Sequence, residues 1–178
     1  MADPVQFMSH HTAVEYRVPD PSPLNVYFAE QLAAGRIVGH KCPECGKVYM
    51  PPRGYCPLCV VETTEANEVE VANVGTITTF SVITPLQYQG QEETEDYVQA
   101  TLLLDGADTT IMVAHLDGVA IADVHSGLRV KAIWAPEAER KGATGSLARQ
   151  MGLGSAVTSW EATGEPDTPR EQLGENII

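Results

Sequence analysis

The chain has four cysteines, in two tight pairs: Cys42-Pro43-Glu44-Cys45 and Cys56-Pro57-Leu58-Cys59, with ten residues between the pairs. Two residues between cysteines let a single turn present both sulfurs to one metal ion. Two such turns brought together complete a tetrahedral all-sulfur site, the closed geometry of structural zinc. Cys42, Cys45, Cys56 and Cys59 are therefore the candidate metal ligands, and Zn2+ is the expected cofactor. Two disulfides are the competing reading, and the CxxC spacing weighs against them. A closed cage takes every thiol, so none is left as a nucleophile, and it offers no open position for activated water.

The other groups that could do acid–base chemistry are His40, His115, His125, Asp123 and Glu92. His115 lies in an alternating segment, where a histidine is more often packed than catalytic. Asp123 and His125 are close enough to pair locally, but no nucleophile with a paired base is legible. His40 stands two residues before the first cysteine, yet a four-cysteine site has no need of it. No catalytic residue is assigned, and the isolated chain is not expected to be an enzyme.

The elements that must position the cysteines can be read around them. The chain has 178 residues, 43% hydrophobic and 20% charged, an ordinary globular composition. Residues 1–21 are polar and proline-dotted and read as an extended arm. Ser22-Pro23 is a helix start and Gly35 a helix stop, with Leu24, Tyr27, Phe28 and Leu32 on one face between them. That face packs either on the chain's own core or on a partner; Tyr27, Phe28 and Leu32 are the candidate partner contacts. The helix and a rubredoxin-like ribbon form one unit, 22–60. About 25 residues of ribbon cannot bury enough apolar surface to fold alone, so metal binding must supply free energy.

Beyond the ribbon the period changes to two. Strands are expected over 76–82, 97–104, 109–116, 128–134 and 156–163, with a turn at Asp105-Gly106-Ala107-Asp108. Five strands in about 100 residues predict a small closed barrel of the OB type over 61–165. The fold class is thus mainly β: helix, ribbon, five-stranded barrel, with a tail from 166 to 178. An acidic loop over 84–96, with Tyr88 near its middle, and a glycine-punctuated connection over 136–155, with a helical turn at Leu147–Met151, interrupt it.

The formal charge is −13, which disfavours nucleic acid and anionic membrane as partners. The basic residues are nevertheless clustered. Arg36, Lys41, Lys47 and Arg53 surround the cysteines; Arg129, Lys131, Arg140, Lys141 and Arg149 form a second group. From Gly54 to Leu128 there is no Lys or Arg at all. Single charges of this kind are usually solvated, but as sets these are the places to hold an anionic ligand. No apolar run is long enough to span a membrane, and the first residues show no export signal, so a cytoplasmic location is expected.

A helix ending in Gly35, then Cys42-Pro43-Glu44-Cys45-Gly46, Pro51-Pro52-Arg53, Cys56-Pro57-Leu58-Cys59 and a barrel, resembles the DUF35 family of zinc-ribbon OB-fold proteins that accompany acyl-CoA enzymes. The resemblance covers residues 22–135. It implies a non-catalytic partner of a thiolase-superfamily enzyme that holds the complex and forms part of an acyl-CoA channel. It further implies an enzyme dimer, giving a heterotetramer, and most closely a thiolase-like aldolase that shortens steroid side chains by retro-aldol cleavage. A bridging subunit of an acetoacetyl-CoA thiolase or acyltransferase complex is the alternative within the family. On this resemblance Arg36, Lys41, Arg53 and Arg129 are the candidate contacts to acyl-CoA. Outside it, a nucleic-acid-binding ribbon and barrel is the competing class. The charge, and a first three strands without Lys or Arg, argue against that class.

Overall fold

The computed structural model describes residues 12–13, 22–85, 95–114, 116, 119–140, 153 and 156–173. Helix α1 (Pro23–Ala33) begins where Pro23 occupies the first turn. The amides of Asn25 and Val26 bond the Ser22 carbonyl at 2.8 and 3.1 Å. The Ser22 side chain makes no capping bond, so Ser22 starts the helix through its backbone. The stop is a Schellman turn: the Arg36 amide donates to Gln31 and the Gly35 amide to Leu32. Gly35 has φ 79°, which a residue without Cβ adopts freely.

Strands β1 (Ile37–Lys41), β2 (Val48–Tyr49), β3 (Tyr55–Cys56) and β4 (Val61–Glu62) make the ribbon. Strand β5 (Glu68–Val71) joins them: the order β2-β1-β5 is one antiparallel sheet, with Ile37 opposite Val71 and His40 opposite Glu68. β3 and β4 form a separate two-stranded sheet.

The larger sheet holds β6 (Val74–Ile83), β7 (Tyr97–Leu104), β8 (Thr110–Ala114), β9 (Arg129–Trp134) and β10 (Val157–Ala162), in the order β10-β9-β6-β7-β8. These are the five strands the alternation predicts. In β7 the alternation is complete: Val98, Ala100, Leu102 and Leu104 are buried and the residues between them are not. A bulge between Ile77 and Thr79 lets β6 turn around the core. A closed barrel is expected from the sequence; among the described residues the ladder stays open, with β8 and β10 at its edges. The ribbon is seated at the start of β8. Just before β8, the Asp108 amide donates to the Val48 carbonyl at 2.9 Å, and Asp108 Oδ2 accepts from the Val48 amide at 2.8 Å. Thr109 Oγ1 accepts from the Met50 amide and donates to the Met50 carbonyl, both at 2.8 Å.

One apolar core therefore runs through the molecule. It holds Phe28 and Leu32 of the helix, Ile37, Val38, Val48 and Met50 of the ribbon, and Ile77, Leu102, Val130 and Trp160 of the larger sheet. Helix α2 (Arg170–Leu173) ends the described chain, with Leu173 buried. Among the described residues no helix is long and apolar enough to cross a membrane.

Residues 108 and 109 thus seat the ribbon on the sheet. Thr109→Val, which keeps the shape and removes both bonds at a buried site, should cost about 1–3 kcal/mol. A surface change such as Lys131→Ala should stay within about 0.5 kcal/mol. Denaturant unfolding of the metal-loaded chain measures both; equal, small effects would show that the seat is not where the stability lies.

Candidate metal centre

The four sulfurs all lie within 4.8 Å of one another. Cys45 Sγ and Cys56 Sγ, one from each pair, are 3.7 Å apart. A tetrahedron of thiolates about 2.3 Å from zinc places its sulfurs about 3.8 Å apart, so the donor set fits that ion in type, number and spacing. Cys42 and Cys56 are buried, Cys45 is exposed and Cys59 is intermediate.

The two turns that carry the cysteines are built alike. The Cys45 amide points at Cys42 Sγ and the Cys59 amide at Cys56 Sγ, each at 3.5 Å. The Gly46 amide closes the first turn on the Cys42 carbonyl, and the Val60 amide closes the second on the Cys56 carbonyl. Tyr49, fully buried, sets its hydroxyl 3.3 Å from Cys56 Sγ and packs with Cys42 and Cys56.

Electrostatics sets the terms for a cation. Burial pushes the Cys56 thiol up, but the Tyr49 hydroxyl and the amides of Cys59 and Leu58 outweigh it and bring its pKa down to about 6. The same bond holds the Tyr49 hydroxyl well above the usual phenol range. Cys59 is pushed up to about 12, chiefly by its bond to Cys45 and by burial. Cys45 is raised as well: the Lys47 amide pulls it down, but burial and the Cys42 thiol prevail. Cys56 thus ionises readily, while Cys59 and Cys45 resist ionisation. A divalent cation is what lets all four sulfurs ionise together.

The remaining expected site residues fall in different places. Lys41 and Arg53 are exposed on the ribbon, Arg53 with its guanidinium 5.6 Å from the Tyr49 ring centre. Arg36 is held by Glu68 at 2.6 Å and by the Gln31 side chain, with Glu70 at 3.7 Å. Arg129 makes two bonds to Asp105, at 2.7 and 2.6 Å, and a third to Thr76. Both guanidiniums are therefore neutralised within the chain. Lys131 pairs with Glu161 at 3.0 Å.

The helix face is corrected by the structure. Leu32 is fully buried and Phe28 is 9% exposed, both in the chain's own core, and Tyr27 packs against that core. Phe28 and Leu32 are covered by this chain itself. Gln31, Glu68 and Glu70 around Arg36 were not singled out as site residues; no motif announces an ion pair formed 32 residues apart.

Among the acid–base candidates, His40 is fully buried, with Nδ1 3.4 Å from Thr63 Oγ1 and Nε2 unpartnered. Burial depresses its pKa and keeps it neutral. His125 is exposed and touches acceptors with both nitrogens: the Asp123 carbonyl at 2.7 Å and Asp167 Oδ2 at 2.8 Å. These bonds raise its pKa, the Asp123 carbonyl first. His125 thus pairs with the backbone of Asp123 rather than its carboxylate, and ties down the 166–168 segment. His115, Glu92 and Tyr88, most of the 84–96 loop and the 147–151 turn lie outside the described residues.

A four-cysteine ribbon braced by a helix and set on a five-stranded OB-type sheet defines the class: a zinc-ribbon OB-fold protein. Residues 29–64 match the family model described as the ChsH2 rubredoxin-like zinc ribbon domain, and residues 68–135 the ChsH2 C-terminal OB-fold domain. A DUF35 domain-containing scaffold protein of Methanocaldococcus jannaschii is 32% identical over 101 residues, 55% of this chain and 67% of that one. The chain belongs to the DUF35 family. Two solved structures share the fold. A DUF35-family protein of unknown function from Sulfolobus solfataricus has a TM-score of 0.51 at 21% identity, covering 64% of this chain and 79% of its own. The Ltp2-ChsH2(DUF35) aldolase has a TM-score of 0.52 at 23% identity, covering 70% and 93%.

Because ionised sulfurs are needed, metal uptake must release protons, and affinity must rise with pH. Cys59, raised to about 12, and Cys45, also raised, give up their protons only to the metal. Chelator competition at pH 6 and pH 8 should show markedly tighter binding at pH 8. A pH-independent affinity would count against four thiolate ligands.

Proposed function

We propose that this protein is a non-catalytic accessory subunit of a thiolase-superfamily enzyme that acts on an acyl-CoA. The single observation that carries the reading is the gathering of every thiol of a DUF35 chain into one cage. Thiolytic chemistry needs a free cysteine, so the partner must supply the reacting groups. The names of two relatives support the reading: one is a scaffold protein, and the other pairs a DUF35 domain with a second protein as an aldolase. On that analogy the favoured reaction is retro-aldol cleavage of a steroid side-chain acyl-CoA, with two copies of this chain on an enzyme dimer.

In this reading Cys42, Cys45, Cys56 and Cys59 hold a structural Zn2+. The ion fixes the relative position of the two turns and takes no part in the reaction, since a four-sulfur cage is closed. Lys41 and Arg53 are the cations that meet the CoA phosphates, through charge-assisted bonds. Arg36 and Arg129 serve the fold instead, because carboxylates of this chain already hold them. The units 22–60 and 61–165 act as one body, since the core and the bonds at 108–109 join them.

The reading is tested by co-expression with the thiolase-superfamily enzyme encoded beside this gene. The two should co-purify, and aldol cleavage should need both chains. Failure to co-purify, or full turnover by either chain alone, would overturn it. Cys56→Ser should lower bound zinc from one ion per chain to near zero and abolish the complex; a variant with full zinc content would remove Cys56 from the ligand set.

A further inference from the structure

The two metal-binding turns share their amide-to-sulfur and closing amide-to-carbonyl bonds and differ in the residue that closes them. Gly46 closes the first with φ 74°, and Val60 closes the second with φ 56°. Glycine enters this left-handed region without cost. A β-branched side chain is crowded there, and such an outlier persists only where something holds it. Val60 is the one residue other than glycine with positive φ among the described residues. The chain itself does not offset the strain by packing, because Val60 is 84% exposed.

Val60 does not stand alone. Leu58 in the same turn is 57% exposed, and Tyr55 in the strand leading into it is 55% exposed. These are the three most exposed large apolar side chains among the described residues. The charges beside these side chains are mixed: Arg53 is exposed next to Tyr55, and Glu62 stands opposite Tyr55 across β3 and β4. Apolar side chains held outward, one of them at a conformational cost, are what a docking surface requires.

We infer that the second cysteine turn is a docking tip, in which Tyr55, Leu58 and Val60 enter an apolar recess of the acyl-CoA enzyme, next to the bound CoA whose phosphates Arg53 meets. The inference rests on the accessory-subunit reading and deepens it by naming the surface. A second copy of the chain is disfavoured as the occupant, because two bodies each of charge −13 repel on approach. Val60 is there for the contact rather than for the cage: Gly46 shows that the same turn closes on the same bond without a side chain.

The test uses the zinc-loaded chain and the thiolase-superfamily enzyme of the co-expression experiment. Val60→Gly should keep its zinc and melt no lower than the natural chain, while binding that enzyme about tenfold more weakly or worse. Leu58→Ser should weaken binding likewise, and Met112→Ser, an exposed change on β8, should not. Equal binding by the natural chain, Val60→Gly and Leu58→Ser would overturn the docking tip alone and leave the accessory role standing. No binding by the natural chain would overturn the accessory role, and the tip with it. Loss of zinc in Val60→Gly would show that the strained turn serves the cage. A self-associated chain that Val60→Gly dissociates, seen by sedimentation, would replace the partner protein with a second copy.

Discussion

Asp108 and Thr109 do for the ribbon what a neighbouring strand would do. Asp108 exchanges two bonds with Val48, one from its backbone and one to its side chain. Thr109 uses a single hydroxyl to satisfy both polar groups of Met50. Residues 48–50 sit under the cage, and Tyr49 between them reaches the Cys56 sulfur. The cage, its phenol and the edge of the larger sheet are therefore one chain of contacts. A ribbon of this size has no core of its own to resist displacement, so this seat decides where the metal site stands relative to everything else. Val48 and Met50 also bury their side chains in the common core, which adds apolar area to the polar seat.

The cage imposes a second constraint, and it is electrostatic. The four sulfurs lie within 4.8 Å, and Cys45, Cys56 and Cys59 shift one another's ionisation. Tyr49 and the turn amides stabilise a single thiolate at Cys56, and that thiolate helps to keep Cys59 protonated. Without a cation the site is a frustrated cluster; with one it is a rigid corner that joins two turns ten residues apart. Metal binding and formation of the ribbon are then the same event. The helix gains from it indirectly, because Leu32 and Phe28 need the ribbon strands as a floor.

What the sequence tells and what it hides divide along physical lines. The cysteine spacing and the alternation in β7 are local, so the meeting of the four cysteines and the strands are legible in it. The direction of the helix face was not, because an amphipathic pattern says that a face is covered and not what covers it. Arg36 and Arg129 look like free cations in the sequence; their carboxylates lie 32 and 24 residues away and only folding brings them near. β5 was unreadable as a ribbon strand, since Glu68-Val69-Glu70-Val71 is short and takes its meaning from pairing with β1. The seat at Asp108 and Thr109 is non-local in the same way, and the sequence shows it only as the end of a turn.

These pairings sharpen the charge pattern into something that can act at a distance. Glu68 and Glu70 cancel Arg36, Asp105 cancels Arg129, and Glu161 meets Lys131. Among the described residues, Lys41, Lys47 and Arg53 of the ribbon are then left without a carboxylate partner, in a chain of net charge −13. An approaching phosphate is repelled by the net charge of the chain and finds attraction at these ribbon cations. Such a field orients an encounter before any contact forms, and it raises association rate more than final affinity. Arg53 lines the same depression as Tyr55 of the apolar tip, so attraction and holding meet at that residue. Screening limits the effect to about 10 Å at moderate salt, which confines the steering to the last layers of water before contact.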